Sequence, residues 1–182
     1  MTADVVIRKA TADDLPACAH VINTWMDETD VVPRIYSHQK IRDMFSPDIL
    51  NNRTMWVVIL EGTIEGYLSL IDGGNIRGFY LSRALRGRGV AHKLMAVAKA
   101  SHPAFLELGV FETNARARRF YEREGFVEVP EKRDDQTEEG VPVLFMRWPG
   151  AKTVAEIVAK TAEEAMKDAG SEIGEHNEKA VS

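Results

Sequence analysis

A chain of 182 residues, 45% apolar and 28% charged, is long enough to bury one proper core and has the make-up of a single soluble globular domain. Its formal charge of −5 argues against a general nucleic-acid binder, which would carry a basic balance. The lone cysteine, Cys18, excludes an internal disulfide and a cysteine-rich zinc site, and the N-terminus MTADVVIRKA holds no apolar run long enough for a signal peptide or membrane span, so a cytoplasmic protein without a resident metal is expected.

Residues 5–8 form a short apolar run and predict the first strand. Thr11-Ala12-Asp13-Asp14 reads as a helix start, with Thr11 as the N-cap and acids in the first turn. Leu15, Cys18, Ala19, Ile22, Trp25 and Met26 follow at helical spacing, so the helix buries one face and Cys18 reads as a structural thiol. Pro16 is tolerated in the first turn, and the acidic residues 27–30 end the helix. Ser37 predicts the cap of a second short helix that carries Ile41, Met44 and Phe45 and stops at Ser46-Pro47. Residues 31–36, between the two, show no periodicity and suit either a plain connection or the wall of a site.

Residues 55–60 and 63–71 are apolar runs joined at Glu61-Gly62, which predicts a hairpin of buried strands. After the turn Asp72-Gly73-Gly74-Asn75, residues 76–81 extend it into an antiparallel meander. Next comes a basic glycine corner, Arg86-Gly87-Arg88-Gly89-Val90-Ala91, followed by Val90, Leu94, Val97 and Ala98 at helical spacing. Strand, glycine corner and helix make an anion cradle, because the first turn of a helix has unpaired N–H groups and glycines let a phosphate come close. Taken alone, such a corner is equally a surface turn, and its spacing matches neither a nucleotide P-loop nor a dinucleotide fold.

His102-Pro103 breaks the chain, and residues 104–111 predict a strand that can lie parallel to the strand at 76–81. A helix over 115–124 ends at Gly125, a natural left-handed cap. Residues 126–129 and 143–148 read as closing strands around a charged, mobile loop, 130–142. The tail carries a capping-box pattern, Thr153-Val154-Ala155-Glu156, then an apolar stripe of Val154, Ile157, Val158, Thr161, Ala162, Ala165 and Met166 up to Gly170. Residues 171–182 are polar and read as disordered. With Pro149-Gly150 as a hinge, the stripe could cover the flank of its own domain or a second subunit in a homodimer.

Arg86, Gly89 and Ala91 match every fixed position of Gln/Arg-x-x-Gly-x-Gly/Ala. Residues 114–126, from Asn114 through Ala117 and Tyr121 to Gly125-Phe126, match Asn-x-x-Ala-x-x-x-Tyr-x-x-x-Gly-Phe. Two such motifs in this order, each behind a strand, resemble the GNAT N-acetyltransferase superfamily over roughly residues 5–148. Arg83, where the family often has proline, and Ala91, where glycine is frequent, are the two departures. The resemblance implies an α/β (α+β) fold, a mixed, mostly antiparallel and splayed sheet of about six to seven strands flanked by helices. A domain over 1–149 would then be followed by a helical extension and disordered tail over 150–182.

It also implies acetyl transfer from acetyl-CoA to a primary amine by direct attack in a ternary complex. The runner-up is a non-catalytic acyl-CoA sensor or interaction module of the same fold. By resemblance, the pyrophosphate lies on N–H groups of Gly87, Arg88, Gly89, Val90 and Ala91, with charge from Arg86 and Arg88. Leu81 and Ser82 hold the pantetheine arm, the Leu81 N–H serving as oxyanion donor. Asn114 and Ala117 contact the cofactor, although Asn114 suits a helix cap equally well. Tyr121 is assigned to protonate the leaving thiolate, whose ordinary pKa of about 8.5 makes it an easy leaving group. The helical spacing of Ala117, Phe120, Tyr121 and Glu124 also suits a core aromatic at 121. An amine of pKa about 10.4 needs a base, for which Glu107, interrupting an apolar strand, competes with Glu65 and Glu112. The helix–loop–helix would wall the acceptor, placing Trp25, Arg34 and Tyr36 against it. Small amines, amino acids, antibiotics, peptide N-termini and protein lysines all remain as acceptors.

Overall fold

The computed structural model describes residues 4–154, 156, 158, 159 and 161–163. The apolar runs of the first half form one antiparallel meander, in which β1 (Val5–Lys9), β2 (Arg53–Leu60), β3 (Thr63–Ile71) and β4 (Asn75–Leu81) pair in chain order. Leu60 faces Thr63, and the two residues between them take positive φ, Glu61 at 50° and Gly62 at 82°, the turn whose twist matches its flanking strands. β5 (Leu106–Phe111) lies parallel to β4, and β7 (Val143–Trp148) and the short β6 (Val127–Glu128) complete a seven-stranded sheet in the order β1-β2-β3-β4-β5-β7-β6.

Strand periodicity assigns the two faces. On β2, Trp56, Val58 and Leu60 join the larger core, with Leu94 and Met95 of α3 (Val90–Ser101) and Tyr121 of α4 (Ala115–Arg123). Met55 and Val57 face the other way, against Leu15, Cys18 and Val21 of α1 (Leu15–Glu28). α2 (His38–Met44) is capped as its sequence predicts, the Ser37 side chain accepting from the Lys40 N–H at 3.1 Å. Among the described residues, no helix is long and apolar enough to cross a membrane.

The feature that makes a site is a break in the sheet. β4 and β5 share only two registered pairs, Asn75 with Glu107 and Ile76 with Leu108. Ser69 pairs with Gly78 while Leu70 pairs with Ile76, which leaves Arg77 as an extra residue. Such a bulge bends its strand, and β4 turns away from β5 beyond it. The splay leaves a wedge that opens toward the C-terminal ends of both strands.

Several expectations need correction. Thr11 caps the first helical turn as expected, but residues 12–14 form a 3-10 turn and the α-helix itself begins at Leu15; the Asp14 carboxylate accepts from the Thr11 N–H (2.8 Å) and pairs with Arg8 (2.7 and 2.8 Å). The loop over 130–142 is fastened rather than free: Asp134 bridges Val143 in both directions (3.0 and 2.8 Å), and Arg133 pairs with Glu112 at 2.8 Å. The C-terminal helix starts at residue 151, ahead of the Thr153 pattern. Gly150 is no hinge. It is buried at φ 96°, a Cβ there would stand 2.0 Å from the Ala104 carbonyl oxygen, and the next N–H donates to Pro103 at 3.1 Å. The described residues of this helix are exposed, Val158 at 62%, while Ile157, Ala165, Met166 and residues 171–182 lie outside the described residues.

Candidate active site

The wedge encloses a cavity of about 560 Å³. The inner edge of β4 from Ile76 to Ser82 forms one wall, and Leu108 to Phe111 of β5, with Val143 and Phe145 of β7, form the opposite one. The glycine corner closes one end, through Arg86, Gly87, Gly89, Val90 and Ala91, and α4 roofs the cavity with Asn114, Ala117, Phe120 and Tyr121. Trp25 reaches in from α1.

Gly89 is the N-cap of α3 at φ 69°, and Gly87 sits at φ 73°, both in the left-handed region that favours glycine. A Cβ at either would meet nothing within 4 Å, so both glycines border open space in front of the helix N-terminus. Arg88 contributes no side chain to the cavity. Its Nε donates to the Ala84 carbonyl at 3.0 Å, folding it back along the chain.

The register of β3 and β4 orients the next group. The Ser82 N–H donates to the Glu65 carbonyl at 2.7 Å, so the neighbouring Gly66–Leu81 pair is the non-hydrogen-bonded type. In such a pair the N–H groups point away from the partner strand, which turns that of Leu81 toward the wedge. The Ser82 hydroxyl oxygen is buried and has no hydrogen-bond partner among the described residues.

On α4, both readings of Asn114 hold in one position: it lines the cavity, and its side chain accepts from the Ala117 N–H at 3.1 Å. Tyr121 is likewise both wall and core. Its ring packs against Phe120 (5.4 Å) and Phe126 (5.8 Å), and its hydroxyl meets no partner among the described residues. Burial, with Tyr80 nearby, pushes the phenol well above its ordinary value, so it stays protonated at neutral pH. Trp25 meets Tyr80 edge-on at 5.2 Å, and burial raises the Tyr80 phenol to about 12.

Three expected site residues stand elsewhere. Arg34 does not line the cavity. It donates to Asn23 (3.0 and 2.7 Å) and Asp27 (2.8 Å), pinning the 31–36 segment to α1. Tyr36 also stays outside, its hydroxyl donating to the Glu138 carboxylate. Glu107 is the clearest correction. It sits at the closed end of the wedge, 6% exposed, held by Lys132 (2.6 Å) and Arg147 (2.6 Å). Burial would raise its carboxyl, but hydrogen bonds and charge from these two cations outweigh that and lower it, which unfits Glu107 as a base. Glu112 is lowered too, through its hydrogen bond to Arg133.

Sequence reasoning placed Arg86 at the site but missed three further arginines, Arg77, Arg116 and Arg123. Arg77, Arg86, Arg116 and Arg123 are the charged residues of the cavity wall, and among the described residues no carboxylate lines it. Arg116 and Arg123 lie seven apart on α4, hence on one face, but they occupy free positions of the motif. Arg77 was hidden by the bulge, which strand alternation cannot reveal.

Residues 26–149 match the acetyltransferase (GNAT) domain family. The peptidyl-lysine N-acetyltransferase YiaC of Escherichia coli K12 is 27% identical over 157 residues, covering 82% of this chain and 100% of that protein. The apo form of YjaB from Escherichia coli superposes with a TM-score of 0.64 at 23% identity, over 81% of this chain and 99% of that one. YncA from Salmonella typhimurium, solved with its cofactor acetyl-CoA, gives a TM-score of 0.60 at 20% identity, over 80% and 93%. These two likenesses speak for the fold. The family match carries more, since it spans the splayed strands, the glycine corner and the helix roofing the wedge: the chain belongs to the GNAT acetyltransferases.

Proposed function

We propose that this protein transfers an acetyl group from acetyl-CoA to a primary amine by direct attack in a ternary complex, with a lysine side chain as acceptor. The observation that carries this reading is the wedge itself, whose charged wall residues are all arginines and whose open glycine corner meets a helix N-terminus. That combination suits a polyanionic, extended ligand. The lysine acceptor rests on the likeness to YiaC.

In this reading, N–H groups from Gly87 to Ala91 receive the pyrophosphate, and Arg86 adds charge. The arm of the cofactor runs along the inner edge of β4, beneath Asn114 and Ala117. The Leu81 N–H, turned into the wedge, donates to the thioester oxygen as negative charge develops on it. Tyr121, kept protonated by burial, supplies a proton to the departing thiolate. A pure binding module would not need a protonated, unpartnered phenol at that place. The acceptor enters on the α1 side, past the Trp25–Tyr80 pair.

Gly89→Val tests the cofactor site. The new side chain meets no protein atom near its Cβ but fills the cradle, so acetyl-CoA binding measured by calorimetry is expected to disappear. Unchanged affinity in a variant with native circular dichroism overturns the reading.

A further inference from the structure

We propose that Glu65 and the Ser82 hydroxyl form the proton outlet for the acceptor amine, through a side pocket on the α1 face of the sheet; this rests on the acetyl transfer proposed above. Glu65 and Ser82 are directly opposed across β3 and β4, joined by the 2.7 Å bond from the Ser82 N–H to the Glu65 carbonyl. Directly opposed residues carry their side chains on the same face. Here it is the face of Tyr67 and Tyr80, the next opposed pair that shares it, on which α1 packs.

A pocket of about 140 Å³ opens there, between His20, Thr24, Glu65 and Ser82, and it meets the main cavity at Trp25, Leu81 and Ser82. It is therefore the space next to the Leu81 backbone N–H, which in the proposed reaction donates to the thioester oxygen. Two observations point to an occupant. The Ser82 hydroxyl oxygen is buried without a partner among the described residues, a state that buried hydroxyls rarely keep unless a water or ligand pairs with them. The pocket also brings His20, Thr24, Glu65 and Ser82 together and is roomy enough to hold water.

The carboxylates narrow to one. Glu107 and Glu112 are neutralised by their cations, and Glu28, which shares the pocket, is tied to Arg83 at 2.7 Å. Glu65 is half-buried and has no side-chain hydrogen bond or ion pair among the described residues. The charged and titratable groups facing it are His20 and Glu28 from α1, and Arg83 and Arg86 from the segment after β4.

The proton balance closes. The acceptor arrives as an ammonium ion and gives one proton to the Ser82 oxygen, directly or through water, while that hydroxyl passes its own proton through water in the side pocket to the Glu65 carboxylate. The neutral amine forms the nitrogen–carbon bond, the carbon–sulfur bond breaks, and the thiolate takes a proton from Tyr121. The surplus proton on the new amide nitrogen restores Tyr121, and Glu65 releases its proton to solvent. One ammonium and one thioester thus yield one amide, one thiol and one proton. Glu65 acts through Ser82, so it positions and drains a proton without touching the reacting atoms.

The test is the pH dependence of kcat/KM for acetylation of a short lysine peptide. Glu65→Gln is expected to lower kcat/KM by ~10²-fold near neutral pH. The loss should shrink as pH rises toward the amine's own pKa of about 10.4, where the acceptor arrives already neutral. Ser82→Ala should move in the same direction, Glu65→Asp should recover part of the activity, and acetyl-CoA affinity should stay unchanged in both Glu65 variants. A Glu65→Gln profile that matches the wild type, or lies below it by a constant factor at every pH, overturns the outlet while leaving acetyl transfer standing. A wild-type protein that binds acetyl-CoA but acetylates no amine sinks the transfer and the outlet together.

Discussion

Tyr121 does two jobs with one side chain, and a single substitution separates them. Tyr121→Phe keeps the ring that packs on Phe120 and Phe126 and removes only the unpartnered hydroxyl. The expected result is a kcat lower by ~10²-fold, at the small end for acid–base assistance because a thiolate leaves easily, with acetyl-CoA affinity intact. An unchanged kcat across the neutral range would make Tyr121 purely structural. Its place was legible in the sequence because motif spacing on a helix fixes a face. Glu107 was not, since alternation along β5 gives the side of the sheet but says nothing of Lys132 and Arg147, which arrive from 25 and 40 residues away. Arg34 and Tyr36 failed for the same reason. Their partners, Asn23 and Glu138, lie 11 and 102 residues off, and only the folded chain brings them together.

At the scale of elements, Glu107 is a stitch. It joins β5 to Arg147 on β7, directly opposite, and to Lys132 in the turn before it. Glu107→Gln should destabilise the fold by about 1–3 kcal/mol, less than a fully buried pair would because both cations are partly exposed. The sign with pH follows from the lowered carboxyl. The contribution is present above the unfolded carboxylate range near ~4.3 and is lost as pH falls through the folded value. Urea unfolding at two pH values measures it, and activity per folded molecule should be unchanged. A loss of kcat without a loss of stability would return Glu107 to the base role. Strands and helices themselves were legible, because period-two and helical spacing are written locally. Their ends were less so. The Thr11 cap pattern held, opening a 3-10 turn that leads straight into α1, whereas the Thr153 pattern misplaced a helix start because the 150–151 junction packs on 103–104.

For the molecule as a whole, the opening of the sheet was the feature no local pattern could give in detail. Its angle depends on one bulged residue, Arg77, and on how few pairs hold β4 to β5. A ligand lying in the wedge touches both halves of the sheet and so binds the folded state alone. Saturation with acetyl-CoA at 100 times its Kd should add about 2.7 kcal/mol and raise the melting temperature by ~5–10 °C. Scanning calorimetry with and without it is the check, and an unmoved transition counts against a ligand bridging the two halves. The splay has one more consequence. An ordinary sheet has two unpaired borders, one at each side, whereas this one has two further borders facing each other inside it. Any extended peptide can add to such a border through its backbone, which is how sheets stick to one another. Here the gap is flanked by Arg77, Arg116 and Arg123. A neutral backbone gains nothing from those charges and would have to strip their water, while a phosphate-bearing molecule gains from each. The same arginines thus admit one kind of extended molecule and guard the interior borders of the sheet against another.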